Sequence, residues 1–174
     1  VRDTLLGLDP ADVDLATRLL PDDVLARMKA AGIRAVPTGI AHGTVTAVLP
    51  SGPIEVTTLR HDVSTDGRHA VVAFTDAWDE DAARRDFTMN AMAISVPDGA
   101  FVDPFGGVKH LAAKTIDTPL EPDVSFGDDP LRMLRAARFV AQLDLVPARR
   151  LVDAIRSMRE RLQIVSAERI SDEL

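Results

Sequence analysis

Residues 128–139 read Asp-Asp-Pro-Leu-Arg-Met-Leu-Arg-Ala-Ala-Arg-Phe, and the pattern of the sequence changes in this stretch. From here onward apolar residues recur every three or four positions, which is the spacing of an amphipathic helix. Pro130 suits a first helical turn, which the carboxylate of Asp128 or Asp129 can cap. We therefore predict a helix over residues 131–143 and an all-helical segment that begins with it.

The helical spacing continues to the end of the chain, where Ser166 is a suitable N-cap for a third helix. A second helix is predicted by four apolar residues at helical spacing: Leu151, Ile155, Met158 and Leu162. Before residue 127, by contrast, short strands and helices alternate. The sequence therefore predicts an α+β fold, with a mixed domain over residues 1–126 followed by a helical domain over residues 127–174.

Within the first 126 residues, Gly and Pro divide the chain into short elements. Helices are predicted over residues 21–31 and 79–93. Two hairpins are predicted, one over residues 44–59 and one over residues 94–103. Two further strands are predicted over residues 13–17 and 33–36. Residues 60–78 show no clear period and are predicted to form a long loop.

The composition excludes several classes of protein. The chain of 174 residues is 46% hydrophobic and 27% charged, which excludes global disorder, and it has no cysteine for disulfides, thiolate metal sites or nucleophiles. The Walker, G-x-S-x-G, G-x-G-x-x-G and H-E-x-x-H motifs are absent. No apolar run approaches the ~20 residues of a membrane span, and none resembles a secretory signal, so we predict a cytoplasmic location.

The net charge of −7 argues against a general nucleic-acid coat, which needs a basic surface. The charge is unevenly placed along the chain. Residues 1–126 carry 11 basic and 19 acidic residues, a net charge of −8, whereas residues 127–174 carry 9 and 8, a net charge of +1. The helical part is therefore the less acidic one.

Asp12 and Asp14 flank Val13 in a predicted strand, where side chains two positions apart point to the same face. Carboxylates so placed repel each other unless a cation lies between them, and Mg²⁺ accepts such ligands together with waters and substrate phosphates. Metal sites of this kind serve nucleotidyl transfer. Glu55, between two apolar strand residues, is a candidate third carboxylate. A solvent-exposed strand edge is the alternative for all three carboxylates.

A second candidate group is the run Arg84-Arg85-Asp86-Phe87-Thr88-Met89-Asn90 on a predicted helix. Adjacent arginines on a helix diverge by about 100°. One can therefore pair with Asp81 or Asp86 while the other faces a triphosphate, and Asn90 can hydrogen-bond a ribose or a base. A surface ion-pair cluster is the alternative.

The third candidate group is a stripe of arginines, Arg132, Arg135 and Arg138, that recur every three residues on the helix predicted over residues 131–143. No acidic residue lies four positions further on, so the stripe suits a polyanion or the edge of a base. Asp129 adds an acceptor beside the planar donor fork of Arg132, enough to bind a Watson–Crick edge. A solvated helix face is the alternative. The apolar residues between the arginines are expected in the core: Leu131, Leu134 and Ala137.

Seven motifs follow one another along the chain: Val1-Arg2-Asp3-x-Leu5-Leu6-Gly7, Asp12-x-Asp14, Glu55-Val56-Thr57-Thr58, Arg84-Arg85-Asp86-Phe87-Thr88-x-Asn90-Ala91, Asp103-Pro-Phe-Gly-Gly107, Asp129-Pro-Leu-Arg132-x-x-Arg135-x-x-Arg138-Phe139 and Glu168-Arg169-Ile170. In order and spacing the sequence resembles the class II tRNA nucleotidyltransferases, which are the CCA-adding enzymes. Bacterial poly(A) polymerases share these motifs. The resemblance covers essentially the whole chain.

This resemblance implies a nucleotidyltransferase head of the polymerase β-like fold over residues 1–126 and the start of a helical neck over residues 127–174. It implies that Asp12 and Asp14 are catalytic and hold Mg²⁺. It further implies that Asp129 and Arg132 act as a protein template that selects CTP and then ATP. The other nucleotide-binding residues that it implies are Arg2, Arg85, Arg135 and Arg138.

The function that the resemblance implies is the addition of C and A from CTP and ATP to the 3′ end of tRNA, with release of pyrophosphate. A poly(A) polymerase and a non-catalytic nucleotide- or RNA-binding fragment are the alternatives. In the family a Gly-Gly pair precedes the position of Val1 and tRNA-binding helical domains follow the neck, so we expect flanking sequence on both sides. A loop like residues 60–78 accompanies addition of the terminal A.

Overall fold

The computed structural model describes residues 1–10, 12–65 and 70–174. The chain forms two compact units. The sheet unit comprises Asp3–Val63 and Val72–Asp81, and the helical unit comprises Val1–Arg2, Ser64–Val71 and Ala82–Leu174. The predicted boundary at residue 126 concerns the head and neck domains of the family and stays a prediction.

A four-stranded sheet with strand order β1-β4-β3-β2 forms the centre of the sheet unit. β1 (Leu15–Thr17) runs parallel to β4 (Gly52–Thr58), and β4 pairs antiparallel with β3 (Thr44–Leu49). β2 (Arg34–Gly39) pairs antiparallel with β3 and forms the other edge. The sheet is therefore mixed, as the sequence predicts for an α+β fold.

Valine side chains pack α2 (Pro21–Ala30) onto this sheet. Val24 of α2 lies in one buried cluster with Val45 of β3 and Val56 of β4. Branched side chains of this kind suit a pleated surface that is buried on one face. A short helix, α1 (Arg2–Leu5), precedes β1 in the chain.

The hairpin predicted over residues 44–59 is confirmed as β3 and β4. The strand predicted over residues 13–17 is confirmed only over Leu15–Thr17. Asp12 and Asp14 therefore lie in the irregular segment just before β1, and both are exposed. The prediction that they lie within the strand is therefore wrong, and their role in metal binding stays a prediction.

The loop predicted over residues 60–78 is wrong. β5 (Arg60–Thr65) and β6 (Ala70–Phe74) pair as a two-stranded sheet, and α3 (Trp78–Ala83) follows them. Residues 66–69 lie outside the described residues. The first strand is rich in polar residues, which conceals its period, and pairing with a partner strand stabilises a segment whose own preference for the strand conformation is weak.

The helix predicted over residues 79–93 is also wrong, because α3 ends at Ala83 and a separate 3-10 turn follows at Thr88–Asn90. The side chain of Asp86 explains the break. Its Oδ1 accepts hydrogen bonds from the backbone N–H of Phe87 at 2.7 Å and from Nδ2 of Asn90 at 2.9 Å. Such a side chain competes with the helical hydrogen bonds of the backbone, and Phe87 is extended with φ −133° and ψ 151°.

Helix α6 (Arg132–Leu143) supplies the centre of the core of the helical unit, and the predicted amphipathic helix is confirmed. Its buried residues are Met133, Ala136 and Phe139. The ring of Phe139 meets that of Phe87 edge to face, with centroids 5.7 Å apart. This arrangement is favourable for two aromatic rings.

The core face of α6 differs from the prediction. Leu131 is buried and Leu134 is half-buried, but Ala137 is exposed. A step of three residues turns a helix by about 300°, so a stripe at this spacing rotates by about 60° at each step and leaves the core within two turns. The same rotation applies to the arginines at this spacing, which are half-buried rather than fully solvated.

The remaining elements of the helical unit are short. The hairpin predicted over residues 94–103 is confirmed as β7 (Ala93–Ile94) and β8 (Phe101–Val102). Four further elements were not predicted from the sequence: α4 (Gly107–Ala112), β9 (Thr115–Ile116), α5 (Pro122–Asp128) and β10 (Val146–Pro147). Of these, β9 and β10 pair in parallel. The two last predicted helices are α7 (Arg149–Met158) and α8 (Ala167–Glu173).

Two of these helices begin at side-chain caps. Asp103 accepts hydrogen bonds from the backbone N–H groups of Gly107 and Val108 at the start of α4. Ser166 accepts one from the N–H of Arg169, which confirms the predicted cap of α8. Across the described part of the chain, every helix is too short or too polar to cross a membrane.

Candidate active site

The arginine stripe of α6 is paired with carboxylates from distant parts of the chain. Nε and Nη2 of Arg135 donate to Oδ2 of Asp86 at 3.0 and 2.7 Å, and its Nη1 lies 3.4 Å from Oε2 of Glu173. Arg138 binds Oε1 of Glu173 through Nε and Oε1 of Gln142 through Nη1. The sequence correctly shows no acidic residue at the i+4 positions, but the acidic partners come from outside the helix.

The electrostatics of this cluster keep Arg135 charged. Burial lowers the pKa of Arg135, but hydrogen bonding and attraction by the carboxylates of Asp86, Glu173 and Asp129 outweigh it, so the pKa is raised above its ordinary value. The Glu173 side chain is itself only 8% exposed. A buried carboxylate with two arginine partners holds those partners in defined positions, because its removal would leave them poorly paired.

Three guanidinium groups surround the ring of Phe139. The guanidinium carbons of Arg2, Arg135 and Arg138 lie 5.0, 5.7 and 4.5 Å from its centroid. Cations within ~6 Å of an aromatic face are attracted to it. The ring therefore gathers three of the predicted nucleotide-binding arginines, although they lie at opposite ends of the chain.

Asn90 extends this cluster to the start of the chain. Its Oδ1 accepts a hydrogen bond from Nη1 of Arg2 at 2.7 Å, and its Nδ2 donates to Asp86. The backbone carbonyl of Asn90 also accepts from Nη1 of Arg85 at 3.1 Å. The structure thus brings Arg2, Arg85 and Arg135 together around Asn90 and Asp86, and Arg138 joins them through Phe139 and Glu173. The result is a cationic cluster that can bind phosphate groups.

Asp129 lies just before α6, with both of its carboxylate oxygens bound. Oδ1 accepts from the backbone N–H of Leu131 at 3.1 Å, and Oδ2 accepts from Nη2 of Arg169 at 2.9 Å. The side chain is 28% exposed, so a ligand can reach it. Asp129 is therefore an accessible acceptor whose orientation is set by two donors.

Arg132 starts α6, three residues further along the chain. Its Nη1 donates to Oγ of Ser125 at 2.8 Å, and its Nη2 donates to the carbonyl of Arg84 at 2.6 Å. These contacts orient a planar fork of donors at the same end of α6 as Asp129. The predicted pairing of an acceptor with a donor fork at one helix end is consistent with this geometry.

Asp12 and Asp14 belong to the sheet unit. Leu15 pairs with Val56 in the parallel register of β1 and β4, so Glu55 occupies the position of β4 that corresponds to Asp14. Among the described residues, no group of three or more His, Cys, Asp or Glu side chains converges on a metal position. Glu55 is therefore close in register but does not complete a metal site with the two aspartates.

The chemistry of the two aspartates nevertheless fits a magnesium ion. Mg²⁺ usually binds one or two carboxylates of a protein and keeps waters and substrate phosphates as its other ligands. Asp12 and Asp14 are exposed and separated by one residue, so they offer two hard oxygen donors to such an ion. A cage of three or more protein ligands is not needed for this type of site.

Two participants, Ser125 and Glu173, were not predicted from the sequence, and Arg169 was noted only as part of a motif without a role. Arg169 and Glu173 are four residues apart on α8 and therefore share a face of that helix. One signal in the sequence pointed to such partners: α6 has three arginines and no acidic residue, so any acidic partners of its half-buried arginines have to come from other elements. The sequence could not say which acids.

Comparison with known proteins identifies the family and shows similar proteins. A family model described as the poly A polymerase head domain matches residues 1–117. The chain is 40% identical over 178 residues to the "CCA tRNA nucleotidyltransferase 1, mitochondrial" of Danio rerio, covering 100% of the chain and 41% of the relative. It is 41% identical over 175 residues to the "CCA-adding enzyme" of Anoxybacillus flavithermus, covering 99% of the chain and 43% of the relative.

The chain also resembles solved structures. It superposes on the Bacillus stearothermophilus CCA-adding enzyme in complex with CTP with a TM-score of 0.87 at 40% identity, covering 99% of this chain and 40% of that one. A tRNA nucleotidyltransferase in complex with a primer tRNA and an incoming ATP analog gives a TM-score of 0.81 at 29% identity, with coverage of 99% and 48%. These likenesses confirm the predicted α+β nucleotidyltransferase fold. The chain spans about two fifths of the length of the curated relatives it matches.

Proposed function

We propose that the chain, which belongs to the poly A polymerase head domain family, provides the nucleotide-selecting part of a tRNA nucleotidyltransferase. The reaction is the transfer of CMP and AMP from CTP and ATP to the 3′ hydroxyl of tRNA, with release of pyrophosphate. The observation that carries this proposal is the pair of Asp129 and Arg132 at one end of α6, in a chain 40% identical to a CCA-adding enzyme solved with CTP.

The chemistry of base selection follows from this pair. Cytosine and adenine carry an exocyclic amino donor on the Watson–Crick edge, whereas uracil and guanine carry a carbonyl oxygen at the corresponding position. The carboxylate of Asp129 can accept from an amino group but repels a carbonyl oxygen. The guanidinium of Arg132 donates to the adjacent acceptors of the base. The pair thus favours C and A without a nucleic-acid template.

The cationic cluster supplies the phosphate site in this proposal. Contacts with Asn90 and Asp86 define where the guanidinium groups of Arg2, Arg85 and Arg135 point, and Glu173 holds that of Arg138. A guanidinium binds phosphate oxygens through two parallel N–H groups. Preorganised arginines lose little side-chain entropy when the triphosphate binds.

Asp12 and Asp14 are proposed as the catalytic carboxylates, and Mg²⁺ as the ion that they hold. A divalent metal in such a site acidifies the attacking hydroxyl and neutralises the triphosphate charge. The two carboxylates provide negative charge on an exposed segment, which is what retains a divalent ion there. They also define the part of the sheet unit at which the 3′ end of tRNA is expected to bind.

A poly(A) polymerase is the second candidate function, and the description of the matching family favours it. It would use ATP alone and add many nucleotides. The boundary between head and neck at residue 126 stays a prediction. The cytoplasmic location also stays a prediction, because the relatives include both bacterial and mitochondrial enzymes.

The test is single-nucleotide extension of a tRNA transcript that ends at its discriminator base, with the chain in its native flanking sequence. We expect extension to C-C with CTP alone and to C-C-A with CTP and ATP. A long ladder with ATP alone would establish the poly(A) polymerase instead. Absence of extension with nucleotide binding intact would establish a non-catalytic binding module.

Two variants assign the roles. Asp12→Ala is expected to abolish incorporation, whereas the control Asp9→Ala, which removes a nearby exposed carboxylate, is expected to retain it. Arg132→Ala is expected to blur the choice among the four nucleotides more than it slows total incorporation. An equal loss for all four nucleotides would contradict the template role of Arg132.

A further inference from the structure

We propose that Arg169 is a positioning residue that sets the orientation of the Asp129 carboxylate and thereby determines nucleotide selection. This inference rests on the proposed function. Arg169 lies on α8, 40 residues from Asp129 in the sequence, and its Nη2 is 2.9 Å from Oδ2 of Asp129. The contact joins the last helix of the chain to the residue that is proposed to accept the base.

The two donors to Asp129 fix its carboxylate plane. The backbone N–H of Leu131 donates to Oδ1, and Nη2 of the Arg169 side chain donates to Oδ2. With one donor alone, the carboxylate can rotate about the bond to its β-carbon. A carboxylate oxygen can accept two hydrogen bonds, so Arg169 can hold Oδ2 while the amino group of a base also binds it.

The position of Arg169 is itself constrained by the opposite end of α8. Glu173, one turn further along, is buried and forms ion pairs with Arg135 and Arg138 of α6. The N-cap Ser166 holds the backbone N–H of Arg169. Glu173 therefore ties the end of α8 to α6, and Ser166 fixes the first turn from which the guanidinium of Arg169 reaches Asp129.

This arrangement separates selection from folding. The side chain of Arg169 is 42% exposed, so its replacement leaves no cavity in the core. The catalytic aspartates are on other elements and are unchanged. Loss of Arg169 is therefore expected to alter the choice between amino- and carbonyl-bearing bases while the protein stays folded.

The experiment compares Arg169→Gln and Arg169→Lys with the matched control Arg156→Gln in the chain with its native flanking sequence. Arg156 is an arginine of α7 whose side chain is 75% exposed. For each protein, kcat/KM is measured for CTP and for UTP in the first incorporation, together with the melting temperature. Arg169→Gln is expected to lower the CTP:UTP ratio about tenfold, the effect of losing one hydrogen bond to a charged group. Arg169→Lys is expected to retain most of the ratio, and Arg156→Gln all of it.

A double variant tests whether Arg169 acts through Asp129. In the Asp129→Asn background, Arg169→Gln is expected to cause no further fall in the ratio, because residues that act through one contact are not additive. An independent, multiplicative fall would overturn the inference, as would a CTP:UTP ratio within twofold of wild type in Arg169→Gln.

The outcomes also separate this inference from the proposed function. If the wild type selects CTP and Arg169→Gln selects it equally well, the positioning role is wrong and the proposed function stands. If the wild type incorporates neither C nor A, both are wrong. If Arg169→Gln fails to fold, the Arg169→Lys variant provides the test instead. A folded Arg169→Lys variant whose CTP:UTP ratio is as low as that of Asp129→Asn would show that the retained charge does not rescue selection. That result would overturn the inference.

Discussion

Replacement of Glu173 by Gln tests the charge cluster that supports the nucleotide site. Glu173 is 8% exposed and binds both Arg135 and Arg138. Glutamine has almost the same shape, so the change removes the charge and one acceptor oxygen without opening a cavity. The amide N–H₂ group then faces one of the guanidinium groups, where a donor meets a donor.

The magnitude follows from the contacts. A hydrogen bond to a charged group contributes about 1.5–3 kcal/mol, and breaking a buried ion pair costs about 3–5 kcal/mol. The arginine side chains are 33% and 30% exposed, so water replaces part of the loss, and Arg135 keeps its second partner Asp86. We therefore expect Glu173→Gln to lower the free energy of unfolding by about 2–3 kcal/mol.

The assay is urea-induced unfolding followed by far-ultraviolet circular dichroism. With an m-value of about 2 kcal/mol per M, the midpoint is expected to fall by about 1–1.5 M without a change in slope. The control is Asp172→Asn, the same loss of charge at the exposed neighbouring position of α8. Equal midpoints for the two variants, or a loss below about 0.5 kcal/mol in Glu173→Gln, would refute the reasoning, since surface changes stay within that range.

Three further outcomes are expected. Gly107→Ala is expected to destabilise the chain by about 3 kcal/mol, because a Cβ would lie 2.3 Å from the carbonyl oxygen of Thr88. The control Gly127→Ala has open space around it in α5 and is expected to be neutral or stabilising. Equal melting temperatures for the two variants would contradict this. The hydrogen bond and charge of Lys114 lower the pKa of Asp144, so this pair stabilises the fold above about pH 4 and the contribution is lost as the pH falls through the lowered pKa. Asp144→Asn is therefore expected to weaken the fall in stability at acid pH. An unchanged acid part of the curve of stability against pH would contradict this. Chelation of divalent metal with EDTA is expected to stop nucleotide incorporation, and added Mg²⁺ to restore it, with urea unfolding unchanged; incorporation in EDTA would contradict the metal role.

Local patterns of the sequence predict much of this fold correctly. The hairpin of β3 and β4, helix α6 and the Ser166 cap of α8 each depend on residues only a few positions apart. Spacing within a helix or hairpin is read directly from the chain, because neighbouring residues fix it. The motifs that carry the resemblance are of the same local kind, and the comparisons confirm the family that they indicate.

The failures occur where side-chain contacts or a partner strand override the pattern of apolar residues. Asp86 ends the helix predicted over residues 79–93 by binding the N–H of Phe87, and its other oxygen is bound by Arg135, 49 residues away. The strands β5 and β6 form because each provides the hydrogen bonds that the other needs, although β5 alone has a weak pattern.

The candidate site shows the same division. The arginines of the helical unit are evident in the sequence, and so are the two aspartates of the sheet unit, since hydrogen-bonding capacity and charge belong to each residue type. Their partners are not, because Arg169 meets Asp129 and Glu173 meets Arg138 across 40 and 35 residues. Packing of α8 against α6 creates these contacts. Ion pairs depend on distances in space, which the spacing of residues along the chain does not determine. The orientation of the Asp129 carboxylate is therefore set only in the folded molecule.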